Sequence, residues 1–80
     1  MRHDGLLEHG GYYIHVFTEP GQDGWNCSVT FERKSDFDEQ KSLIRSVRHR
    51  LSGFFKTSEE AAAAARLYST TTIDAGGVGL

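Results

Sequence analysis

Four histidines, His3, His9, His15 and His49, one cysteine, Cys27, and two acidic groups, Asp36-Asp38-Glu39 and Glu59-Glu60, are the side chains whose chemistry could extend beyond packing. A cysteine nucleophile needs an activating base and an orienting third group. Cys27 instead falls mid-run in Trp25-Asn26-Cys27-Ser28-Val29, on the apolar side of the alternation and with no helix N-terminus to favour a thiolate. It reads as a small buried apolar residue. The histidines, with Cys27 and Asp4, hold the right atoms for zinc, but no two stand at the short pair spacings of zinc sites, so no metal is expected. Asp36, Asp38 and Glu39 read as a solvated cluster or a helix start, and Glu59 and Glu60 as capping residues, so no acid and base pair emerges. Gly76, Gly77 and Gly79 follow the last element instead of opening a helix, which excludes both phosphate-cradling glycine patterns. The expectation is a protein without catalytic residues or cofactors.

What remains is surface chemistry. Arg45, Arg48 and Arg50, with His49 among them, stand alongside Tyr13, His15 and Phe17 as a set that could pair with phosphates and stack bases, or bind an acidic protein. Arginines on an edge strand also serve simply to prevent sheet-to-sheet aggregation. The overall charge argues against a dedicated nucleic-acid binder, because 9 Lys and Arg are set against 11 Asp and Glu, a formal net charge of -2. Six of those nine cations lie between Arg33 and Arg50, so charge is uneven along the chain.

Elements must position these residues, and the 80-residue length allows one domain with a core just large enough to hold itself together. Gly53 to Tyr68 is its anchor. Thr57 with Glu60 forms a capping box, Glu59 adds charge to the first turn, and five alanines follow at the lowest intrinsic helical cost. Ala61, Ala64, Ala65 and Tyr68 share one face, small enough for close approach to a sheet, and Phe54 and Phe55 form a buried lead-in. Tyr12 to Thr18 is rich in β-branched and aromatic residues and reads as a strand. Glu19 to Gly24 carries Pro-Gly and Asp-Gly and reverses the chain. Trp25, Cys27, Val29 and Phe31 then alternate with Asn26, Ser28, Thr30 and Glu32 in a half-buried strand. The hairpin's inner face takes the first four with Tyr12, Ile14 and Val16, which leaves Tyr13, His15 and Phe17 facing outward.

Lys34 to Ser52 is ambiguous, since Leu43, Val47 and Leu51 recur every four residues and suit either a helix face or a strand face. Ser35 as cap, the acidic first turn and Gly53 as terminator favour a helix. A lone hairpin is a poor platform, however, and this favours a third strand over about 42 to 55. Met1 to Glu8, with only Leu6 and Leu7 between polar residues, predicts no element. Ser69 to Asp74 is weak for a helix, with one more turn possible should Ile73 reach the core. Residues 75 to 80 read as a disordered glycine-rich tail, leaving an ordered core of about 10 to 74. No stretch has the apolar core of a signal peptide or the length of a membrane span, and a single cysteine suits a reducing, cytoplasmic setting.

Gly11-Tyr12-Tyr13-Ile14, Gly24-Trp25, Gly53 to Ala61 and Ile73-Asp74 together resemble a group of small uncharacterised bacterial proteins. That resemblance covers roughly 10 to 74 and implies a three-stranded antiparallel sheet leading through a phenylalanine and a capped Glu-Glu-Ala motif into one long helix, with no assigned activity. The Phe-x-Thr-x-Glu-Glu-Ala turn is also similar to the plant ethylene-response type of DNA-binding domain and to phage-integrase amino-terminal domains, whose open sheet face reads DNA through arginine and tryptophan. This chain departs from them in carrying His15, Asn26, Ser28 and Thr30 along its strands. The reading is therefore an α+β domain, a three-stranded antiparallel sheet on one C-terminal helix, with a hairpin and two helices as the alternative. The expected function is a non-catalytic interaction module acting on a protein partner or on itself through its sheet face or edge. The alternative is weak nucleic-acid binding by that face with Arg45, Arg48 and Arg50.

Overall fold

A computed structural model describes residues 2–40 and 42–80 and shows an α+β fold. Four strands, β1 (Arg2–His9), β2 (Tyr12–Gly21), β3 (Gly24–Arg33) and β4 (Ser46–Arg50), form an antiparallel sheet in the order β1-β2-β3-β4. Helix α1 (Lys34–Asp38) links β3 to β4, and helix α2 (Ser58–Asp74) follows the sheet and packs on β2 and β3.

The sheet has one strand more than its sequence suggests. β1 occupies the segment read as featureless, and its cause lies in the turn after it: Gly10 and Gly11 take φ of 54° and 86°, the left-handed pair that a two-residue hairpin loop requires. The reversal aligns Leu7 with Ile14 and Leu6 with His15, so pairing with β2 supplies what intrinsic propensity lacks. Gly10 has a second reason to be glycine, since a Cβ there would lie 2.5 Å from Cγ2 of Ile73 near the end of α2. The register shifts between His3 and Gly5, which leaves Asp4 bulged. Its carboxylate accepts the Thr18 hydroxyl and pairs with Arg2 Nε at 2.9 Å, which anchors the start of the strand.

β2 and β3 pair through to Gly21 and Gly24, so Pro20 and Gly21 belong to the strand and only Gln22 and Asp23 turn the chain. Their inner residues, Ile14, Val16, Cys27, Val29 and Phe31, are the buried core, with Tyr12 and Trp25 packed at its margin. In the ambiguous segment the strand is present but short. Val47 lies opposite Phe31 and His49 opposite Val29, while Leu51 N donates to Cys27 O at 3.1 Å beyond the strand's end. Leu43, the third member of the four-residue repeat, is 73% exposed and outside the strand. The helical signals of the same segment survive as the five-residue α1, capped at Arg33 without a side-chain hydrogen bond. Beyond β4 the chain touches the sheet once more, where Trp25 and Phe55 exchange two backbone hydrogen bonds of 2.7 Å. Gly24 makes this possible, because a Cβ there would meet Phe55 O at 2.6 Å. Phe55 is half-buried, whereas Phe54 is 56% exposed and does not join the lead-in as expected.

The Thr57 half of the capping box forms, its Oγ1 accepting from Glu60 N at 3.1 Å, while the Glu60 carboxylate reaches back one residue further and accepts from Lys56 N at 3.2 Å. The helix face on the sheet is Ser58, Ala61, Ala62, Ala65 and Ser69, rotated from the expected one, with Ala64 and Tyr68 at its edge. The helix continues past Tyr68 for nearly two more turns to Asp74, with Ile73 packed against the core. The following segment, expected as a loose tail, instead turns back and buries Val78. His49 holds it there, with Nε2 donating to Val78 O at 3.0 Å and Nδ1 accepting from Tyr68 Oη at 2.6 Å.

Two measurements follow from this packing. Ala65→Leu places three extra heavy atoms where Ala65 has no exposed surface, and an expected cost of about 1 to 3 kcal/mol would lower the melting temperature by several degrees. Ala63→Leu, on the exposed side, should shift it by less than about 0.5 kcal/mol equivalent, and equal effects in thermal circular dichroism would mean that the helix is rotated otherwise. His49→Phe keeps a ring against Phe31, whose centroid lies 5.1 Å away, but loses both hydrogen bonds. It should cost about 1 to 3 kcal/mol and make the chain after Asp74 the first site of proteolysis.

Candidate functional site

Because α2 covers one face of the sheet, strand alternation sends the other set of side chains to a face that only α1 partly covers among the described residues. Cross-strand register assembles it in rows: His3 beside Phe17, Leu6 beside His15 and Glu8 beside Tyr13, then Glu32, Thr30 and Ser28 facing Ser46, Arg48 and Arg50. The predicted outward residues Tyr13, His15 and Phe17 are all here, each half-buried by its neighbours. Arg48 joins them. Its Cζ lies 5.6 Å from the centroid of the Phe17 ring, while Nε and Nη2 donate to Ser28 Oγ at 3.3 and 3.0 Å. Arg50 is exposed on the same face, opposite Ser28, whereas Arg45 is exposed in the loop before β4. His49, read with these arginines, points the other way into the helix side.

Two features of the face were not legible beforehand. At one end Phe37 of α1 packs edge-on to Tyr13, centroids 5.2 Å apart, and Lys34 Nζ lies 5.7 Å over the same ring while bonding Glu8 at 3.1 Å. That hydrogen bond, followed by the attraction of the Glu8 charge, raises the Lys34 pKa above its ordinary value. Leu6, Tyr13, His15, Glu32 and Phe37 line a shallow, mainly apolar groove of about 400 Å³ there. Leu6 and Phe37 line it while remaining 53% and 43% exposed. The second feature is a chain of polar contacts from His3 through His15 to Glu32. His15 Nε2 lies 2.5 Å from Glu32 Oε1, and His15 Nδ1 lies 3.4 Å from His3 Nε2. Periodicity gives no hint of Phe37 or of His3, since both owe their position to a turn and a register.

Cys27 is buried on the helix side, and desolvation raises its pKa, so the neutral thiol dominates at pH 7. It is 4% exposed, within the core cluster that includes Val29 and the helix alanines, with Trp25 packed against it. No group of three or more metal-ligating side chains converges among the described residues. No described helix is long and apolar enough to cross a membrane. No protein-family model, curated protein or solved structure matches the chain.

The setting of Cys27 gives a direct test. Native protein should react with a thiol reagent far more slowly than protein in denaturant, and the rate should rise with pH as the thiolate fraction grows. A native rate equal to the denatured one would place the thiol at the surface. Because the folded-state pKa is raised, the thiol's contribution to stability is full below the unfolded value and is lost as pH rises through the higher folded value.

Proposed function

We infer that this domain is a non-catalytic interaction module that binds protein through its open sheet face, a second copy of the chain being the occupant that the charge pattern favours. The observation carrying this reading is the apolar groove of Leu6, Tyr13 and Phe37 on a face that α2 leaves uncovered. Exposed apolar surface rimmed by polar groups is characteristic of contact sites. Glu8, Glu19 and Glu32 share this face with Lys34, Arg48 and Arg50, so both signs are interspersed and two copies can oppose one another without net repulsion. The outer edge of β1 adds unpaired backbone groups as a secondary contact.

The second reading is nucleic-acid binding, favoured by the stack of Arg48 on Phe17 with Arg50 beside it. It also draws on the likeness to sheet-reading DNA-binding domains. Against it stand the three glutamates of the same face, which offset its positive charge, and the engagement of Arg48 by Ser28, which occupies two of its donors.

Sedimentation equilibrium over a wide concentration range tests the first reading. A reversible dimer is expected, weakened at least tenfold by Leu6→Glu or Phe37→Glu and unchanged by Arg66→Glu on the exposed side of α2. A chain that stays monomeric at high micromolar concentration overturns the choice of occupant. Titration with duplex and single-stranded oligonucleotides at low salt should show no saturable binding. A salt-sensitive, saturable interaction lost in Arg48→Glu overturns the protein-binding reading itself.

A further inference from the structure

His3 and His15 stand side by side on neighbouring strands, brought together by the pairing of His3 with Phe17 and of Leu6 with His15 across the bulge at Asp4. Their facing nitrogens, His3 Nε2 and His15 Nδ1, are 3.4 Å apart, with ring centroids at 5.5 Å and planes inclined by 46°. The other nitrogen of His15, Nε2, lies 2.5 Å from Glu32 Oε1. Phe17 closes one side of the pair, its centroid 5.2 Å from that of His3 and 6.4 Å from that of His15.

We propose that His3 Nε2 and His15 Nδ1 chelate a borderline divalent metal ion, zinc in the first instance, on the open sheet face, with Glu32 as the carboxylate that orients His15. Tautomer chemistry leads there. A carboxylate can only accept, so His15 carries its proton on Nε2 and presents a lone pair at Nδ1 toward His3. A neutral His3 with its proton on Nδ1 presents a second lone pair into the same space, and a cation between them converts repulsion into two bonds. The separation suits that arrangement: two nitrogens bonded to tetrahedral zinc at about 2.0 to 2.1 Å stand roughly 3.3 to 3.4 Å apart. As a direct hydrogen bond, 3.4 Å is longer than the usual range. A carboxylate behind a ligating imidazole is also the common outer shell of zinc histidines, where it fixes tautomer and ring orientation. Glu32 and His15 are both more than half buried, which holds the orienting pair in place, whereas His3 is exposed and free to adjust.

With no third protein ligand among the described residues, water completes the coordination, and the site is an exchangeable one that faces solvent. This inference does not depend on the protein-binding reading, since it rests on the imidazole pair and its carboxylate alone.

The test uses the full chain without an affinity tag and zinc chloride as the probe, followed by calorimetry and by imidazole nitrogen shifts. One zinc per chain is expected, with His15 Nδ1 and His3 Nε2 showing the ligated shifts. His3→Ala and His15→Ala should each weaken binding by more than tenfold, and Glu32→Gln by about tenfold with unchanged stoichiometry. His9→Ala, which alters an exposed pair with Asp74, should leave affinity unchanged. His3 is exposed, so His3→Ala keeps the fold and gives a clean reading even if His15→Ala disturbs the sheet. Absence of zinc binding at millimolar metal, or binding that survives His3→Ala undiminished, overturns the proposal.

Discussion

The fold depends on the close approach of an alanine face to the inner side of a sheet. Ala61, Ala62 and Ala65 present little more than backbone to Ile14, Val16, Val29 and Phe31, and this thinness lets one helix seal the core of so small a domain. Each of the large side chains so covered contributes about 1.5 to 3 kcal/mol by leaving water. Most of a helix's stability in a protein comes from tertiary packing, so sheet and helix stabilise one another. Close contacts elsewhere follow from the same approach: Gly10 gives room to Ile73, and His49 reaches both Tyr68 and the chain beyond the helix.

One helix covers one face, and this asymmetry defines what the molecule can offer a partner. Among the described residues the second face is closed by its own side chains and by the single turn of α1 at the Tyr13 end. It is stabilised locally through stacked rings, the Arg48 contacts with Phe17 and Ser28, and the Lys34 bridge to Glu8. Such contacts order the surface without removing it from water. The edges are managed by the means common to sheets: the bulge at Asp4 on β1, and a short β4 carrying alternate arginines.

The chemistry of this face is more varied than its charge suggests. It combines an apolar groove, an arginine stacked on an aromatic ring and an imidazole pair backed by a carboxylate. Each of these features joins side chains from at least two strands, so the face is a product of register. A slip of one residue between β1 and β2 would send His3 and Leu6 to the helix side and dismantle the groove and the imidazole pair together.

Local signals alone determined the capped helix, the central hairpin and the sorting of its two faces. Thr57 with Glu60, the alanine run and the alternation from Trp25 to Glu32 act between near neighbours, and nothing in the tertiary structure opposes them. The outward placement of Tyr13, His15 and Phe17 was legible for the same reason. Tertiary structure decided the rest. β1 has almost no intrinsic preference and exists because a Gly-Gly turn returns it to β2, while the segment after β3 divides between a helical turn and a strand that local periodicity could not separate. The rotation of α2 turned on fitting Ala62 instead of Ala64 against the sheet, a choice among equal alanines that only packing can make. Val78 entered the core where His49 Nε2 meets its carbonyl, a contact between residues far apart in the chain. The meeting of His3, His15 and Glu32 required the register of three strands, information that no spacing along the chain contains.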